Sequence, residues 1–283
     1  MNNLKTLALL TVMTLILVLG GRLLAGPSGL ILGLVLAVVM NIGSYWFSDK
    51  IALKMAGARP LEESEAPDIY RIVRMVATQA NVAMPRVYLI EQAAPNAFAT
   101  GRDPQHAAVA VTAGILEIVD ARELTAVLAH EVGHVSNRDT LVMAVAASIA
   151  GAISFLAQMA QWSMWFGGGS RDEENNTGGI VGLIAGMIFL PLAATIVQLA
   201  ISRSREYGAD ETSAALTNDP MALASALRKL DAYSKRVPLN VNPSVSPLFI
   251  VRPLLPGGFG GLFATHPPIE DRIARLEKMA GQR

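Results

Sequence analysis

Charged residues are absent from three long stretches of this chain, and that segregation is its dominant pattern. Between Arg22 and Asp49 lie 26 uncharged residues, between Asp139 and Arg171 lie 31, and between Glu174 and Arg203 lie 28. A bilayer-spanning helix needs about 20 apolar residues. Each gap therefore has room for one span, and none comfortably holds two. A weaker candidate precedes them: 16 uncharged residues separate Lys5 from Arg22, and snorkelling of both basic ends extends that segment to residues 4–24. A secretory signal competes for this first segment, with Lys5, an apolar run and small residues near Ala25. Arg22 is poorly placed for a cleavage region, which favours a retained helix. Gln158, Gln161 and Pro191 are unusual for lipid-facing helices, so a membrane-embedded hairpin that does not span is the alternative for the third and fourth segments.

The hydrophilic remainder is residues 48–139 and 203–283, 92 and 81 residues, together the size of one ordinary domain. Within the first piece, residues 66–80 alternate with helical period and carry Pro67 near the start, which predicts an amphipathic helix. Residues 85–90, 96–100 and 107–112 read as strands, the last two joined across the turn cluster Gly101-Arg102-Asp103-Pro104. In the second piece Asp219-Pro220 predicts a capped helix start, with a helix over 221–235. Residues 238–262 are rich in Pro and Gly and long for a structureless connection, so a lid, a membrane-contacting element or a mobile connector is expected there.

Composition agrees with membrane residence: hydrophobic residues make up 52% of the chain and charged ones only 16%. Basic residues then set the orientation. Lys50, Lys54 and Arg59 follow the second apolar segment, Arg138 precedes the third, and Arg203 and Arg205 follow the fourth, whereas Asp172, Glu173 and Glu174 lie between the third and fourth. The hydrophilic domain and both termini are therefore expected in the cytoplasm, with Arg22 alone opposing. The 23 basic residues balance 23 acidic ones, and no basic aromatic-rich patch, repeat, P-loop or dinucleotide fingerprint is present, which argues against a nucleic-acid partner.

The chemistry concentrates in His130-Glu131-Val132-Gly133-His134, which follows the apolar run 124–129. Residues four apart share a helix face, so His130 and His134 can present two imidazoles to one metal ion. Glu131, about 100° around the helix, lies beside such an ion, where a base must be to take a proton from a metal-bound water. A catalytic zinc normally takes three protein ligands, and the absence of Cys excludes a thiolate. In Ser202-Arg203-Ser204-Arg205-Glu206-Tyr207-Gly208-Ala209-Asp210, Glu206 and Asp210 again lie four apart. Glu206 could ligate the metal and Asp210 could fix a ligand imidazole. An ordinary charged helix face with Arg203 and Arg205 has the same pattern.

The order H-E-V-G-H, then S-R-S-R-E-Y-G-A-D about 70 residues on, resembles the gluzincin-type membrane metalloproteases, the group that holds the HtpX-type bacterial proteases and the CAAX prenyl endopeptidases. The likeness extends to Asn96-Ala97-Phe98-Ala99-Thr100-Gly101 upstream, and to Thr265-His266-Pro267-Pro268 with Arg272 downstream. Chain size favours the HtpX type. The resemblance implies an α+β, mainly helical fold: a zincin-like domain with a small sheet, fused to about four transmembrane helices, two in residues 1–47 and two in 140–202. It implies one Zn²⁺ per chain on His130, His134 and Glu206, with Asp210 behind a ligand and Glu131 as base. Asn96, Ala97, Phe98 and Ala99 resemble the family's substrate strand. A plain structural hairpin is the alternative. A donor to the oxyanion that forms in peptide hydrolysis would come from His266 or else Tyr207, and Arg272 would position the His266 segment. The expected partners are polypeptide substrates, membrane proteins among them, and the lipid bilayer of a bacterial inner membrane. A metal-dependent membrane scaffold and a prenyl-protein endopeptidase are the competing readings. The intact Glu131 speaks against the first, the short first half against the second.

Overall fold

The computed structural model describes residues 2–147, 149, 203–251 and 267–282. The expected third and fourth membrane segments, the acidic loop between them, and His266 lie outside the described residues.

Helix α1 runs Asn2–Trp46, with Pro27 inside it, yet it is not one rod. Thr14 and Asn41 would stand about 40 Å apart along a straight helix, but Asn41 Nδ2 donates to Thr14 Oγ1 at 2.8 Å. Gly26 takes φ +62°, a left-handed conformation open to glycine, and the chain reverses there. The two legs then pass closely: a Cβ on Gly33 would lie 2.3 Å from the Leu17 carbonyl oxygen. Among the described residues, one stretch, Gly26–Trp46, is long and apolar enough to cross a membrane, and Leu4–Leu19 is a shorter apolar helix.

The hydrophilic part follows as α2 (Ser48–Met55), β1 (Ala58–Pro60), α3 (Pro67–Gln79), β2 (Arg86–Ile90), β3 (Ala97–Gly101), β4 (Ala107–Thr112), α4 (Ala113–Ile118) and α5 (Ala121–Ser136). Residues 139–147 form α6. Then come α7 (Arg203–Thr217), α8 (Pro220–Ser234), a 3₁₀ turn at Pro243–Leu248 and α9 (Ile269–Gly281). Among the described residues the chain is mainly helical with one small mixed sheet of order β1-β2-β4-β3. β2 and β4 are parallel and the other pairs antiparallel.

The sheet is covered on both faces. Val87, Ala97, Ala99, Val109 and Val111 point into a core with α3, α5 and α8. Ile90, Phe98, Ala108 and Ala110 point the other way, against α2, α6 and the first leg of α1. That is why β4 reads Ala-Ala-Val-Ala-Val-Thr, an unbroken small apolar run, instead of alternating. The Pro-rich stretch departs from expectation over its described part. Leu239, Val245, Leu248, Phe249, Ile250 and Val251 are buried, and Phe249 packs edge-on against Phe98 at 5.0 Å. These apolar side chains have a core to enter, so the segment is packed structure through residue 251.

Candidate active site

Helix α5 is built to hold the site. Asp120 Oδ1 accepts from the Glu123 amide and Glu123 Oε2 from the Asp120 amide, a reciprocal cap of the helix start. Glu123 is also bonded by Ser225 Oγ (2.6 Å) and Lys229 Nζ (2.7 Å), which ties α5 to α8. Burial opposes the Glu123 charge, but Lys229, Ser225 and the Asp120 amide outweigh it and hold the carboxyl below its usual range. Farther along, α5 crosses α7 at Gly133. A Cβ there would lie 3.2 Å from Thr212 Cβ, so the glycine permits the close approach that brings α7 to the histidines. Ser213 Oγ, bonded to the Ala126 carbonyl at 2.7 Å, fixes the same crossing.

His130, His134 and Glu206 converge, one ligand atom from each lying within 4.8 Å of the others, all buried. Both imidazoles have the same arrangement. Nε2 of each faces Glu206, at 3.8 Å for His130 and 3.5 Å for His134. Nδ1 of each faces its own carboxylate: Asp210 at 3.0 Å for His130, Asp139 at 3.3 Å for His134. A proton held on Nδ1 by the carboxylate leaves the Nε2 lone pair free for a metal. Asp139 was not singled out in the sequence. It lies just past α5, where Arg138 at φ +58° turns the chain back toward His134.

Arg272 is fully buried and grips Asp210 with two nitrogens, Nε–Oδ2 at 2.9 Å and Nη2–Oδ1 at 2.6 Å. Its Nη1 donates to the Ile250 carbonyl at 3.0 Å and stands 3.5 Å from Glu206. Arg205, its side chain 9% exposed, faces Asp139 at 3.8 Å. Tyr207 lies elsewhere, stacked 4.1 Å beneath the Arg275 guanidinium, and is not brought to the cluster.

Edge strand β3 runs beside the cluster. Asn96, Phe98 and Thr100 bond inward to β4, so Ala97, Ala99 and Gly101 turn their backbone groups outward. Much of that edge is already occupied. Ile250 N donates to Ala97 O at 3.0 Å, and Thr140 Oγ1 to Gly101 O at 2.8 Å. The Asn96 side chain is bonded to both the amide and the carbonyl of Val251. Phe98 is buried against Phe249. The Ala99 amide bonds to Glu131.

Electrostatics favour a cation here. With both imidazoles neutral, as metal ligands are, and all four carboxyls ionised, the buried Glu131, Glu206, Asp139 and Asp210 outnumber the guanidiniums of Arg205 and Arg272 by two negative charges, which a divalent ion would balance. Burial pushes His130 down to about 4, so it is a neutral ligand at physiological pH. Burial also disfavours charge on His134, but Asp139, Glu206 and Glu131 outweigh it and raise that imidazole to about 9. Glu131 rises to about 7, mainly through burial and then the Glu206 charge, and its Oε1 has no hydrogen-bond partner among the described residues. Asp210 stays below the usual carboxylate range despite burial, because Arg272 and His130 face it. Two imidazoles and a carboxylate with no thiolate suit Zn²⁺ with an open coordination position.

An H-E-x-x-H helix that shares its metal with a glutamate from a later helix defines a zinc metalloprotease. The chain belongs to Peptidase family M48, whose sequence profile matches residues 63–280. A protein named "Protease HtpX homolog" from Syntrophobacter fumaroxidans is 51% identical over 280 residues, 98% of this chain and 99% of that one. Another of that name from Aquifex aeolicus is 54% identical over 269 residues, covering 94% and 89%. The crystal structure of S. mikatae Ste24p is a looser likeness, with TM-score 0.49 and 20% identity, covering 86% of this chain and 57% of that one. Family and relatives together identify a membrane zinc metalloprotease.

Proposed function

We propose that this protease cleaves membrane or misfolded proteins on the cytoplasmic side of a bacterial inner membrane, as a quality-control endopeptidase. The carrying observation is the buried trio His130, His134 and Glu206 with the Glu131 carboxylate beside it. Residues 48–139 and 203–283 form one peptidase domain in this reading, with the helices of residues 1–47 and two further spans in 140–202 as its membrane part. The apolar Gly26–Trp46 stretch followed by Lys50 and Lys54 supports both the anchoring and the orientation.

Bound at the trio, zinc supplies a Lewis acid that polarises the peptide carbonyl and makes water a stronger acid. Glu131 takes the proton from the attacking water and delivers it to the leaving amine. Burial, which disfavours its charged form, suits Glu131 to a role in which it must both accept and release a proton. Asp210 and Asp139 hold the two imidazoles in register, and Arg272 holds Asp210. Polypeptide backbone pairs with the outward carbonyl of Ala99 on β3, since the Ala97 and Gly101 carbonyls and the Ala99 amide are bonded within the chain. His266 donates to the developing oxyanion.

The test is Glu131→Gln beside wild type, both purified in detergent. The variant should keep its zinc and lose casein cleavage by roughly 10²–10⁴-fold. Cleavage at the wild-type rate would remove Glu131 from the chemistry. Orientation is read separately: a cysteine at Ser170 should react with an impermeant maleimide in intact cells and one at Ser64 should not, and the opposite pattern would invert the topology.

A further inference from the structure

The stretch Gly26–Trp46 is 21 residues long, about 31 Å at 1.5 Å per residue, close to the ~30 Å hydrocarbon thickness of a bilayer. Trp46 therefore falls where hydrocarbon gives way to headgroups, the level at which Trp anchors membrane helices. Ile31, Val35, Val38, Ile42 and Trp46, all exposed, succeed one another at helical spacing and form one apolar stripe.

At the end of that stripe a cleft of about 590 Å³ opens between the helix end, α2 and the β3–β4 turn. Ile42, Trp46 and Phe47 form its apolar side, and Lys50, Arg86 and Arg102 its basic side, with Asp49 the one carboxylate on its lining. Arg86 is paired with Asp49. Lys50 has no carboxylate partner among the described residues, and its ammonium lies 5.5 Å over the Phe47 ring. The Arg102 guanidinium lies 4.9 Å over Trp46, and its carboxylate neighbour Asp103, at 3.5 Å, is shared with His106. In a chain with no net charge, the cleft concentrates cations at headgroup depth directly beneath an apolar track.

We propose that this cleft binds the phosphate of an anionic phospholipid, with an acyl chain laid along the Ile31–Ile42 stripe. The proposal rests on the membrane reading of Gly26–Trp46. Because Arg102 directly follows the substrate-side strand β3, a bound lipid would also fix the height of that strand above the bilayer. Basic side chains attract anionic lipid surfaces additively, so removing two should weaken binding about 30-fold and removing one about fivefold.

The experiment uses the full chain in phosphatidylcholine discs doped with phosphatidylglycerol, and counts retained phosphatidylglycerol by native mass spectrometry. Wild type should retain it. Lys50→Ala/Arg102→Ala should lose about 30-fold and the milder Lys50→Gln about fivefold, whereas Lys235→Ala/Lys278→Ala, which removes the same charge elsewhere, should bind like wild type. Equal retention in the two double variants would overturn the site. Displacement by millimolar inorganic phosphate alone would also overturn it, making the cleft a free-anion site. Failure of every variant and of wild type to enter the discs would overturn the membrane reading, and is distinguishable because incorporation is scored before lipid is counted.

Discussion

Replacing Arg272 with Met is the sharpest structural test of the site. The substitution keeps an unbranched side chain of similar length and removes the guanidinium. Lost with it are two charge-assisted bonds to Asp210 (2.9 and 2.6 Å) and one to the Ile250 carbonyl at 3.0 Å. Arg272 is fully buried and Asp210 nearly so. Asp210 is therefore stranded as a buried anion with His130 alone beside it among the described residues. Breaking a buried pair from one side costs about 3–5 kcal/mol. At roughly 2–4 °C per kcal/mol for a chain of this size, the melting temperature should fall by about 6–20 °C. The assay is thermal unfolding of the detergent-purified protein at neutral pH, with zinc content measured in parallel. A second substitution fixes the cause: Asp210→Asn added to Arg272→Met removes the stranded charge, so the double variant should melt above the single. A single variant melting within about 2 °C of wild type, or a double variant melting below the single, would refute the buried-pair argument.

Other outcomes follow from the same geometry. Asp139→Ala should weaken zinc retention against a chelator roughly 10–100-fold, with Asp139→Asn intermediate; unchanged retention would remove Asp139 from behind His134. Glu206→Ala should lower zinc stoichiometry more than Asp210→Ala does, and the reverse order of metal loss during dialysis would exchange their roles. Glu123 has a folded pKa below its ordinary value. It therefore adds stability that is complete above the unfolded carboxylate pKa and is lost as pH falls through the lower folded value. Glu123→Gln should lower the melting temperature at pH 7 and narrow its gap to wild type as the pH approaches 3. A gap that widens on acidification would reverse that sign.

Much of the site was legible because its signals are local. The helix at Pro67–Gln79 announces itself by its periodicity, and the strands at Arg86–Ile90 and Ala107–Thr112 as short apolar runs bounded by turn residues. The i,i+4 spacings placed His130 with His134 and Glu206 with Asp210 on common faces, as the converging side chains show. Other features depend on contacts between distant residues and leave no such trace. Nothing local tells that β2 pairs parallel with β4, or that α1 reverses at Gly26. Asn96 sits in a motif that resembles a substrate strand, yet its side chain bonds Val251, 155 positions away. Asp139 faces His134 only because the backbone turns at Arg138, a conformation read from a φ angle and not from residue type.

The ligand trio is divided along the chain, with Glu206 arriving about 70 residues after His134. At a synthesis rate of roughly 5–20 residues per second, that separation lasts about 4–14 s, and Arg272 comes later still. Throughout the interval the H-E-x-x-H helix exists without its third ligand, without the carboxylate that orients His130 and without the guanidinium that holds that carboxylate. A nascent copy is thus catalytically silent beside the ribosome, the insertion machinery and other unfolded chains. The enzyme gains its cutting power only when its own last third has been made.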